Sequence, residues 1–220
     1  MNQTSPSKIT KKKFSIAVEG NIGSGKSTIL SLLDKSYLCD VVVEPIESWT
    51  NVNGHNLLAM LYKDPVRWGM TFQAYAQMTL TKLHALQTKK PVKVMERSIY
   101  SARYCFVENL YRSKILQQVE HEILNEWFNF MTENGRCNLD MIIYLRTSPE
   151  VCLERIKARN RPEEKSIDLN YLTALNNLHE QWLIQKKPYV PCAPVLIVDA
   201  NQNQELVYKE ANEYLTNLVC

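Results

Sequence analysis

The sequence predicts an α/β fold in which a five-stranded parallel β-sheet is flanked by helices. Five short apolar runs rich in β-branched residues recur along the chain, at 14–18, 41–43, 92–95, 141–145 and 195–198. Runs of this length and composition are typical of strands that are covered on both faces. Because segments with helical periodicity separate these runs, we expect parallel strands joined by helical crossovers.

Three of the intervening segments show helical spacing of their larger side chains, which predicts helices near 68–83, near 119–130 and from about 172 to a point before Pro188. The positions that carry the pattern are Trp68, Phe72, Tyr75, Thr79 and Leu83, then Val119, Ile123, Trp127 and Phe130, and finally Leu172, Leu175, Leu178 and Trp182. The chain shows neither an internal repeat nor a linker. We therefore interpret 14–220 as a single domain that follows a flexible tail at 1–13.

The composition argues against several classes of protein. The 220 residues carry a formal net charge of +3, which is too balanced to indicate nucleic acid or a membrane as the partner. Six scattered cysteines without a C-x-x-C pair indicate reduced thiols rather than a zinc site or a disulfide framework. Residues 1–13 lack the apolar core of a secretory signal, so we expect a cytoplasmic location. A mitochondrial location is the alternative, because this segment has no acidic residue, although it also lacks arginine.

A glycine-rich segment follows the first predicted strand directly and opens a helix at about 27–34. It fits the pattern G-x-x-x-x-G-K-[ST], in which glycines let backbone N–H groups turn toward phosphate oxygens and the helix N-terminus adds its positive dipole. The lysine reaches the outer phosphates, and the next hydroxyl can ligate magnesium. The predicted nucleotide-binding residues of this loop are Gly20, Asn21, Ile22, Gly23, Ser24, Gly25, Lys26, Ser27 and Thr28.

Residues that follow the second and third strands favour a kinase over other nucleotide-binding proteins. No N-K-x-D or D-x-x-G motif of a regulatory GTPase accompanies the loop. Glu44 follows the second strand, where a carboxylate can accept the proton of an attacking hydroxyl, and Glu47 is the alternative base. Glu96 and Arg97 follow the third strand, where they could hold magnesium and meet a phosphate or the reacting oxygen.

A cluster of arginines follows the fourth strand. Arg146 ends that strand, and Arg155, Arg159 and Arg161 lie in and after the next predicted helix. Arg155 and Arg159 are four residues apart and share a helical face. Arginines that close over a γ-phosphate stabilise the charge that develops there. Residues 155–161, followed by Pro162, Glu163 and Glu164, are therefore predicted to form a short, arginine-rich, mobile lid.

Five stretches of the chain resemble the eukaryotic deoxyribonucleoside kinases, which have a P-loop kinase fold. They are 19–27, 44–45 together with Trp49, 51–54, 95–104 and 143–150, and the similarity covers nearly the whole chain after Lys13. The resemblance implies transfer of phosphate from ATP, with Mg²⁺, to the 5′-hydroxyl of a deoxyribonucleoside for nucleotide salvage. It makes Glu44 the general base.

The resemblance also assigns the other site residues. Catalysis would involve Arg97 near the 5′-hydroxyl and Lys26 at the phosphate, with Ser27 and Glu96 near magnesium. The residues implied to bind substrate are Glu44, Trp49, Leu61, Tyr62, Gln73, Ala76, Leu80, Arg97, Ala102, Phe106 and Glu164. Among them, Tyr62 and Glu164 would hold the sugar 3′-hydroxyl, Gln73 would read the base, and Trp49 and Phe106 would line and stack on it. Arg159 and Arg161 match the lid arginines.

The surroundings of Gln73 point to pyrimidine bases. Gln73, Ala76 and Leu80 share one helical face, and a glutamine amide can pair with thymine or, after a flip, with cytosine. Within the resemblance, Ala102 is the small residue associated with pyrimidine preference. Thymidine and deoxycytidine are therefore the expected substrates, and the extra room at Ala76 adds the hypothesis that purines are accepted too.

The resemblance further implies a homodimer, through helices around 101–112 and 119–131, and feedback inhibition by a deoxyribonucleoside triphosphate.

Two other functions are alternatives to a deoxyribonucleoside kinase. A monophosphate kinase of the thymidylate type would need a cationic site for the phosphate of its acceptor, where Glu44 would repel it. A non-catalytic nucleotide-binding protein is disfavoured because the charged and hydroxyl residues that the chemistry needs are all present.

Overall fold

The computed structural model of this chain describes residues 13–219, except for the side chains of 134, 218 and 219. Five strands form one parallel sheet in the order β2-β3-β1-β4-β5, which confirms the predicted fold class. The strands are β1 (Phe14–Glu19), β2 (Cys39–Val42), β3 (Val92–Glu96), β4 (Met141–Arg146) and β5 (Val195–Asp199). The tail that the sequence predicts at 1–13 lies, apart from Lys13, outside the described residues.

Helices connect the strands and cover both faces of the sheet. They are α1 (Lys26–Leu33), α2 (Ile46–Thr50), α3 (Leu57–Lys63), α4 (Pro65–Ala85), α5 (Ile99–Ser101), α6 (Glu108–Arg112), α7 (Gln118–Thr132), α8 (Pro149–Arg159), α9 (Leu169–His179) and α10 (Gln204–Val219). A π-helical turn, Ala102–Val107, joins α5 to α6, and a second one, Glu180–Gln185, extends α9. Short 3₁₀ turns occur at Glu133–Gly135 and Pro162–Glu164.

The two edge strands differ from the predicted ones in position and in burial. β2 begins at Cys39, two residues before the predicted run, and ends at Val42. The central strands are almost entirely buried, but β2 and β5 are partly exposed, and Ile197 of β5 is 45% exposed. The expectation that every strand is covered on both faces is therefore wrong for the edges. An apolar run in the sequence indicates a strand but does not show whether that strand lies at the edge of the sheet. That position depends on the order of the strands in space.

Alternate side chains of each strand build two cores, one on each face of the sheet. Ile16 and Val18 of β1 pack on the face that α1 and α10 cover. Ala17 points to the opposite face, where α4, α7 and α9 contribute Phe72, Phe128 and Leu175 among others. The carboxyl ends of the strands therefore lie between two layers of helices. The candidate site lies at this edge of the sheet.

The long helix α4 ends in buried polar contacts. The Nζ amine of Lys93 on β3 donates to the carbonyls of His84 (2.5 Å) and Leu86 (3.2 Å), which are free at the helix C-terminus. The Nε2 atom of His84 accepts a hydrogen bond from the backbone N–H of Ile99 at 3.3 Å, so this imidazole is neutral. Burial, assisted by the charge of Lys93, lowers the pKa of His84 to about 3.

This buried histidine predicts acid sensitivity. The unfolded chain binds a proton at His84 near pH 6.5, whereas the folded chain resists protonation down to about pH 3. Its contribution to stability is therefore complete above pH 6.5 and is lost as the pH falls, by about 2 kcal/mol at pH 5. We expect His84→Asn to lose less unfolding free energy than the wild type between pH 7.5 and 5 in urea denaturation. Equal losses in the two proteins would contradict this prediction.

The helix predicted near 119–130 is confirmed as α7, and it is amphipathic. Leu124, Phe128 and Met131 are buried, and the stripe that carried the sequence pattern faces outward. This exposed stripe consists of Val119 (63% exposed), Ile123 (38%), Trp127 (47%) and Phe130 (63%). The segment 101–112 behaves differently, because its apolar residues Cys105, Val107 and Leu110 belong to the interior. The dimer contact that the resemblance implies for this second segment stays a prediction.

Five of the six cysteines lie in the described part of the chain. Cys39, Cys105, Cys137 and Cys152 are buried free thiols, and Cys192 is an exposed free thiol. Cys220 lies outside the described residues. Among residues 13–219, no helix is long and apolar enough to cross a bilayer.

Candidate active site

A cleft of about 380 Å³ lies beyond the carboxyl ends of β1, β2 and β3. This is the usual position of ligand sites in open parallel sheets. The predicted site residues line the cleft, with the exceptions of Gly20, Asn21, the alternative base Glu47 and Arg146. Its two ends differ, since the glycine-rich loop and arginines surround one and aromatic and aliphatic side chains surround the other.

The glycine-rich loop between β1 and α1 needs glycine for both conformation and space. Gly20 has φ +146°, and a Cβ atom there would lie 2.7 Å from the carbonyl oxygen of Leu145. Gly23 has φ +78°, and its Cβ atom would lie 2.5 Å from the carbonyl oxygen of Cys152. Gly25 is the N-cap of α1 and provides no side-chain cap. The first amides of α1 are therefore left to bind an anion.

Lys26 is folded back onto its own loop. Its Nζ atom donates to the carbonyl of Asn21 at 2.7 Å and to that of Gly20 at 3.2 Å. Burial, followed by the charge of Arg97, lowers the pKa of Lys26 to about 8. A bound phosphate would offer this ammonium a charged partner in place of neutral carbonyls.

Gly20 and Asn21 shape the loop rather than line the cleft. The carbonyl of Gly20 accepts hydrogen bonds from Lys26 and Arg97. The Nδ2 atom of Asn21 donates to the carbonyl of Leu172 at 2.8 Å, and its Oδ1 atom accepts from the N–H of Ile22 at 2.9 Å. Asn21 thus fastens the loop to α9.

Ser27 and Glu96 meet at the phosphate end, where the Oγ atom of Ser27 donates to Oε1 of Glu96 at 2.7 Å. A hydroxyl and a carboxylate at this distance fit the incomplete set of protein oxygens that magnesium uses beside nucleotide phosphates. No group of three histidine, cysteine or acidic side chains that could hold a metal ion occurs between residues 13 and 219.

Glu44 and Arg97 form an ion pair at the middle of the cleft, with Nε of Arg97 3.0 Å from Oε1 of Glu44. Nη1 of Arg97 donates to the carbonyl of Gly20 at 2.9 Å, and its guanidinium lies 4.7 Å from the ring centroid of Phe106. Arg97 therefore contacts both ends of the cleft. Glu47, the alternative base, is exposed and does not line the cleft.

The charges of this pair depend on burial and on each other. Burial raises the pKa of Glu44, and Arg97 opposes that rise. Burial disfavours the charged form of Arg97, but three carboxylates, Glu44 first, hold its pKa above the usual value. Arg97 therefore remains a cation, and Glu44 becomes a stronger base than an exposed glutamate.

The predicted lid arginines are held in different ways. Both carboxylate oxygens of Glu164 accept hydrogen bonds from Nη2 of Arg159, at 2.8 and 2.7 Å, and Arg161 lies 3.5 Å from the same carboxylate. Arg155 instead donates to the carbonyls of Ser24 (3.3 Å) and Ala200 (3.0 Å), which fixes it beside the loop. Arg146 lies outside the cleft, because it pairs with Glu180 at 2.8 Å on the surface.

The apolar end of the cleft is shaped by contacts between α2 and α4. Nε1 of Trp49 donates to Oγ1 of Thr79 at 2.9 Å, and its ring meets Phe72 edge to face at 5.4 Å. Gln73 is 2% exposed, and its Oε1 atom has no hydrogen-bond partner among residues 13–219. A buried, unpaired amide oxygen in a cleft is a ready partner for a ligand N–H group. The other predicted residues at this end are Leu61, Tyr62, Ala76, Leu80, Ala102 and Phe106.

Several lining residues are absent from the sequence prediction. Tyr171 on α9 lies in the cleft, and burial raises its pKa to about 12. Gln202 and Gln204 follow β5 at the phosphate end. The glutamines were detectable in principle, because they follow the carboxyl end of a strand. Tyr171 gave no such signal, since only the packing of α9 turns it toward the cleft.

Comparison with known proteins gives one consistent family. The model of the deoxynucleoside kinase family matches residues 16–219. Thymidine kinase 2, mitochondrial, of Homo sapiens is 47% identical over 194 residues, which cover 88% of this chain and 73% of that protein. Deoxycytidine kinase 2 of Gallus gallus is 37% identical in an alignment that is 250 positions long, gaps included, and covers 96% of this chain and 94% of that protein. Together with the P-loop at the end of β1, these matches show that the chain is a kinase that belongs to the deoxynucleoside kinase family.

Proposed function

We propose that this kinase transfers the terminal phosphate of ATP to the 5′-hydroxyl of deoxyribonucleosides, preferably thymidine and deoxycytidine, for nucleotide salvage. The observation that carries the proposal is the Glu44–Arg97 pair, whose arginine contacts both the P-loop and the aromatic end of the cleft. A carboxylate at this junction suits proton transfer from an acceptor hydroxyl. We further propose that 14–220 form a single kinase domain.

The positions of the side chains suggest their parts in the reaction. Glu44 accepts the proton of the 5′-hydroxyl while Arg97 orients the carboxylate. Lys26 and the first amides of α1 hold the phosphates, and Arg159 and Arg161 add positive charge from the lid. Mg²⁺, when bound near Ser27 and Glu96, would supply further neutralisation of phosphate charge.

The first test is ADP release from ATP and Mg²⁺ with separate acceptors: thymidine, deoxycytidine, deoxyadenosine, deoxyguanosine, uridine and thymidine monophosphate. We expect turnover with the deoxynucleosides, fastest with thymidine and deoxycytidine. Turnover with the monophosphate alone would instead indicate a thymidylate-type kinase, which Glu44 disfavours by repelling a second phosphate. Silence with every acceptor would favour a nucleotide-binding protein without kinase activity.

The size of residue 76 is expected to control purine use. Ala76 is 3% exposed and lines the cleft on the same face of α4 as Gln73. Ala76→Val would fill the space beside the base, and overpacking there should lower kcat/KM for deoxyadenosine about tenfold or more relative to thymidine. Ala85→Val is the matched control, because Ala85 is exposed on the same helix and does not line the cleft. Unchanged purine activity in Ala76→Val would refute the idea.

We also propose a homodimer in which α4 and α7 face a second copy of the chain. The exposed stripe of α7 adjoins an apolar groove of about 530 Å³. The groove is lined by Val52, His55, Leu57, Met60, Trp68, Thr71, Ala74, Tyr75, Met78 and Trp127. Apolar surface of this extent is typical of a subunit interface.

The dimer is expected to dissociate when charge enters this surface. Trp127→Glu combined with Phe130→Glu would bury unpaired carboxylates, so we expect a monomer by light scattering at micromolar concentration. Val66→Glu is the control, since Val66 is 70% exposed but lies outside the groove. A monomeric wild type, or a double variant that stays dimeric, would reject the proposed interface.

Feedback inhibition is proposed because one cleft contains both the phosphate loop and the acceptor end. A deoxyribonucleoside triphosphate could then place its base near Gln73 and its phosphates on the P-loop. Thymidine triphosphate should compete with both ATP and thymidine in steady-state kinetics.

For the cell compartment we propose the cytoplasm, with the mitochondrion as the alternative. Imaging of the tagged chain distinguishes the two.

A further inference from the structure

Glu19, the last residue of β1, is a charged residue in an unusual place. It has no exposed surface, and it does not line the cleft. Its Oε1 atom accepts a hydrogen bond from Oγ of Ser98 at 2.5 Å, and its Oε2 atom has no hydrogen-bond partner among residues 13–219. Burial, opposed first by Arg97, raises the pKa of Glu19 to about 7. A half-satisfied buried carboxylate costs stability, so core packing alone gives no reason for it.

The surroundings of Glu19 connect it to the middle of the cleft. Glu19 and Gly20, at the end of β1, accept hydrogen bonds from the two residues that follow β3. Glu19 accepts from Oγ of Ser98, and the carbonyl of Gly20 accepts from Nη1 of Arg97 at 2.9 Å. The backbone N–H of Arg97 also donates to the carbonyl of Val18 at 3.0 Å. All these bonds join one end of β1 to one turn after β3.

That turn is strained. Arg97 has φ +62°, in the left-handed region that is unfavourable for a non-glycine residue. Such a conformation persists only where surrounding contacts over-determine it. The backbone conformation of Arg97 sets the direction of its side chain. In this direction the guanidinium contacts both the carboxylate of Glu44 and the carbonyl of Gly20.

We propose that Glu19 is a positioning residue for phosphoryl transfer, because its hydrogen bond to Ser98 holds Arg97 in the left-handed turn that places its guanidinium against Glu44. Glu19 acts as a hydrogen-bond acceptor and not by its charge. The inference rests on the proposed role of Glu44, and it adds a buried residue outside the cleft to the machinery of that site.

Kinetics with matched variants test the idea. Glu19→Ala removes the acceptor and should lower kcat for thymidine about tenfold or more, because the buried hydroxyl of Ser98 would be left without its hydrogen-bond partner. KM values should change less than about threefold, because Arg97 would be misplaced mainly for the transition state. Glu19→Gln keeps an acceptor oxygen for Ser98 and should restore most of kcat. Ser98→Ala should match Glu19→Ala, and the double variant should be no worse than either.

A second readout follows Arg97 without any acceptor nucleoside. In ¹⁵N NMR spectra of the folded protein, the paired Nε–H of Arg97 should give a slowly exchanging signal in the wild type and in Glu19→Gln. Glu19→Ala should lose it. Tyr144→Phe is the control for a simple loss of stability. Tyr144 is the β4 register partner of Glu19, and its hydroxyl donates to Glu180 at 2.8 Å, so this change should lower the melting temperature but keep kcat and the signal.

Three results would overturn the proposal: wild-type kcat in Glu19→Ala, equal damage by glutamine and alanine, or additive losses in the double variant. If the wild type phosphorylated none of the acceptors, the proposed function would fail. The NMR comparison would then still decide whether Glu19 positions Arg97.

Discussion

Replacement of Glu44 by glutamine is expected to lower kcat for thymidine by a factor of about 10² to 10⁴, the usual contribution of a general base. The amide has nearly the same shape and can still accept a hydrogen bond from Arg97, which lies 3.0 Å from the carboxylate. It cannot take up a proton at neutral pH. KM for ATP should therefore change little, because the defect concerns the transfer step. Steady-state kinetics at saturating ATP and Mg²⁺ measure the effect.

The pH dependence of the wild type provides a second measure of the same base. As the proposed base, Glu44 would act only when unprotonated, and burial raises its pKa although Arg97 opposes the shift. Activity should therefore be lost as the pH falls, beginning at a pH above the ordinary glutamate value of about 4.3. The acid limb of kcat/KM should disappear in Glu44→Gln. An acid limb that persists in the variant would assign that titration to another group.

Glu47→Gln is the matched control, because Glu47 is three residues away, exposed and outside the cleft. We expect its kcat to remain within about twofold of the wild type, as for most surface substitutions. If Glu47→Gln lost activity while Glu44→Gln kept it, the base would have to be reassigned.

Removal of Arg159 is expected to have the other large effect. Arginines that close on a transferring phosphoryl group contribute about 10³ or more in kcat, so Arg159→Ala should lose activity on this scale. Arg159 is now bound by both oxygens of Glu164, at 2.8 and 2.7 Å, and lies in the cleft wall. Because the charge it meets develops in the transition state, kcat should fall more than the affinity for ATP.

Arg146→Ala is the control for Arg159. Arg146 also pairs with a glutamate, Glu180, at 2.8 Å, but the pair lies on the surface outside the cleft. The control should keep wild-type kcat, since exposed ion pairs contribute at most about 1 kcal/mol to stability. Comparable kcat in the two variants would exclude Arg159 from the reaction.

Much of the phosphate end was predictable because its determinants are local. The glycines of 20–25 permit the backbone angles that turn amides toward an anion, and the residues on either side form a strand and a helix. Strand ends marked by polar residues indicated Glu44, Glu96 and Arg97, because parallel strands bring their carboxyl ends to one edge. These residues do line one cleft.

Other features could not be predicted, since they depend on which faces meet. Periodicity identified α7 but could not show that Val119 and Phe130 face outward, while Cys105, Val107 and Leu110 of the neighbouring segment are buried. The sequence analysis placed Arg146 and Arg159 in one arginine cluster. In the structure Arg146 pairs with Glu180 on the surface, whereas Arg159 pairs with Glu164 in the cleft wall.

The sequence by itself therefore determined the fold class, the anion-binding loop and the family resemblance, because short-range backbone preferences and strand order along the chain encode them. Only the tertiary structure placed Glu44 rather than Glu47 in the cleft wall, turned Tyr171 into the cleft and joined Glu19 to Ser98. These outcomes depend on contacts between residues far apart in sequence, such as Ser27 with Glu96 and Asn21 with Leu172. Burial and pairing of this kind are set by the packing of whole elements, and no local pattern of residues records them.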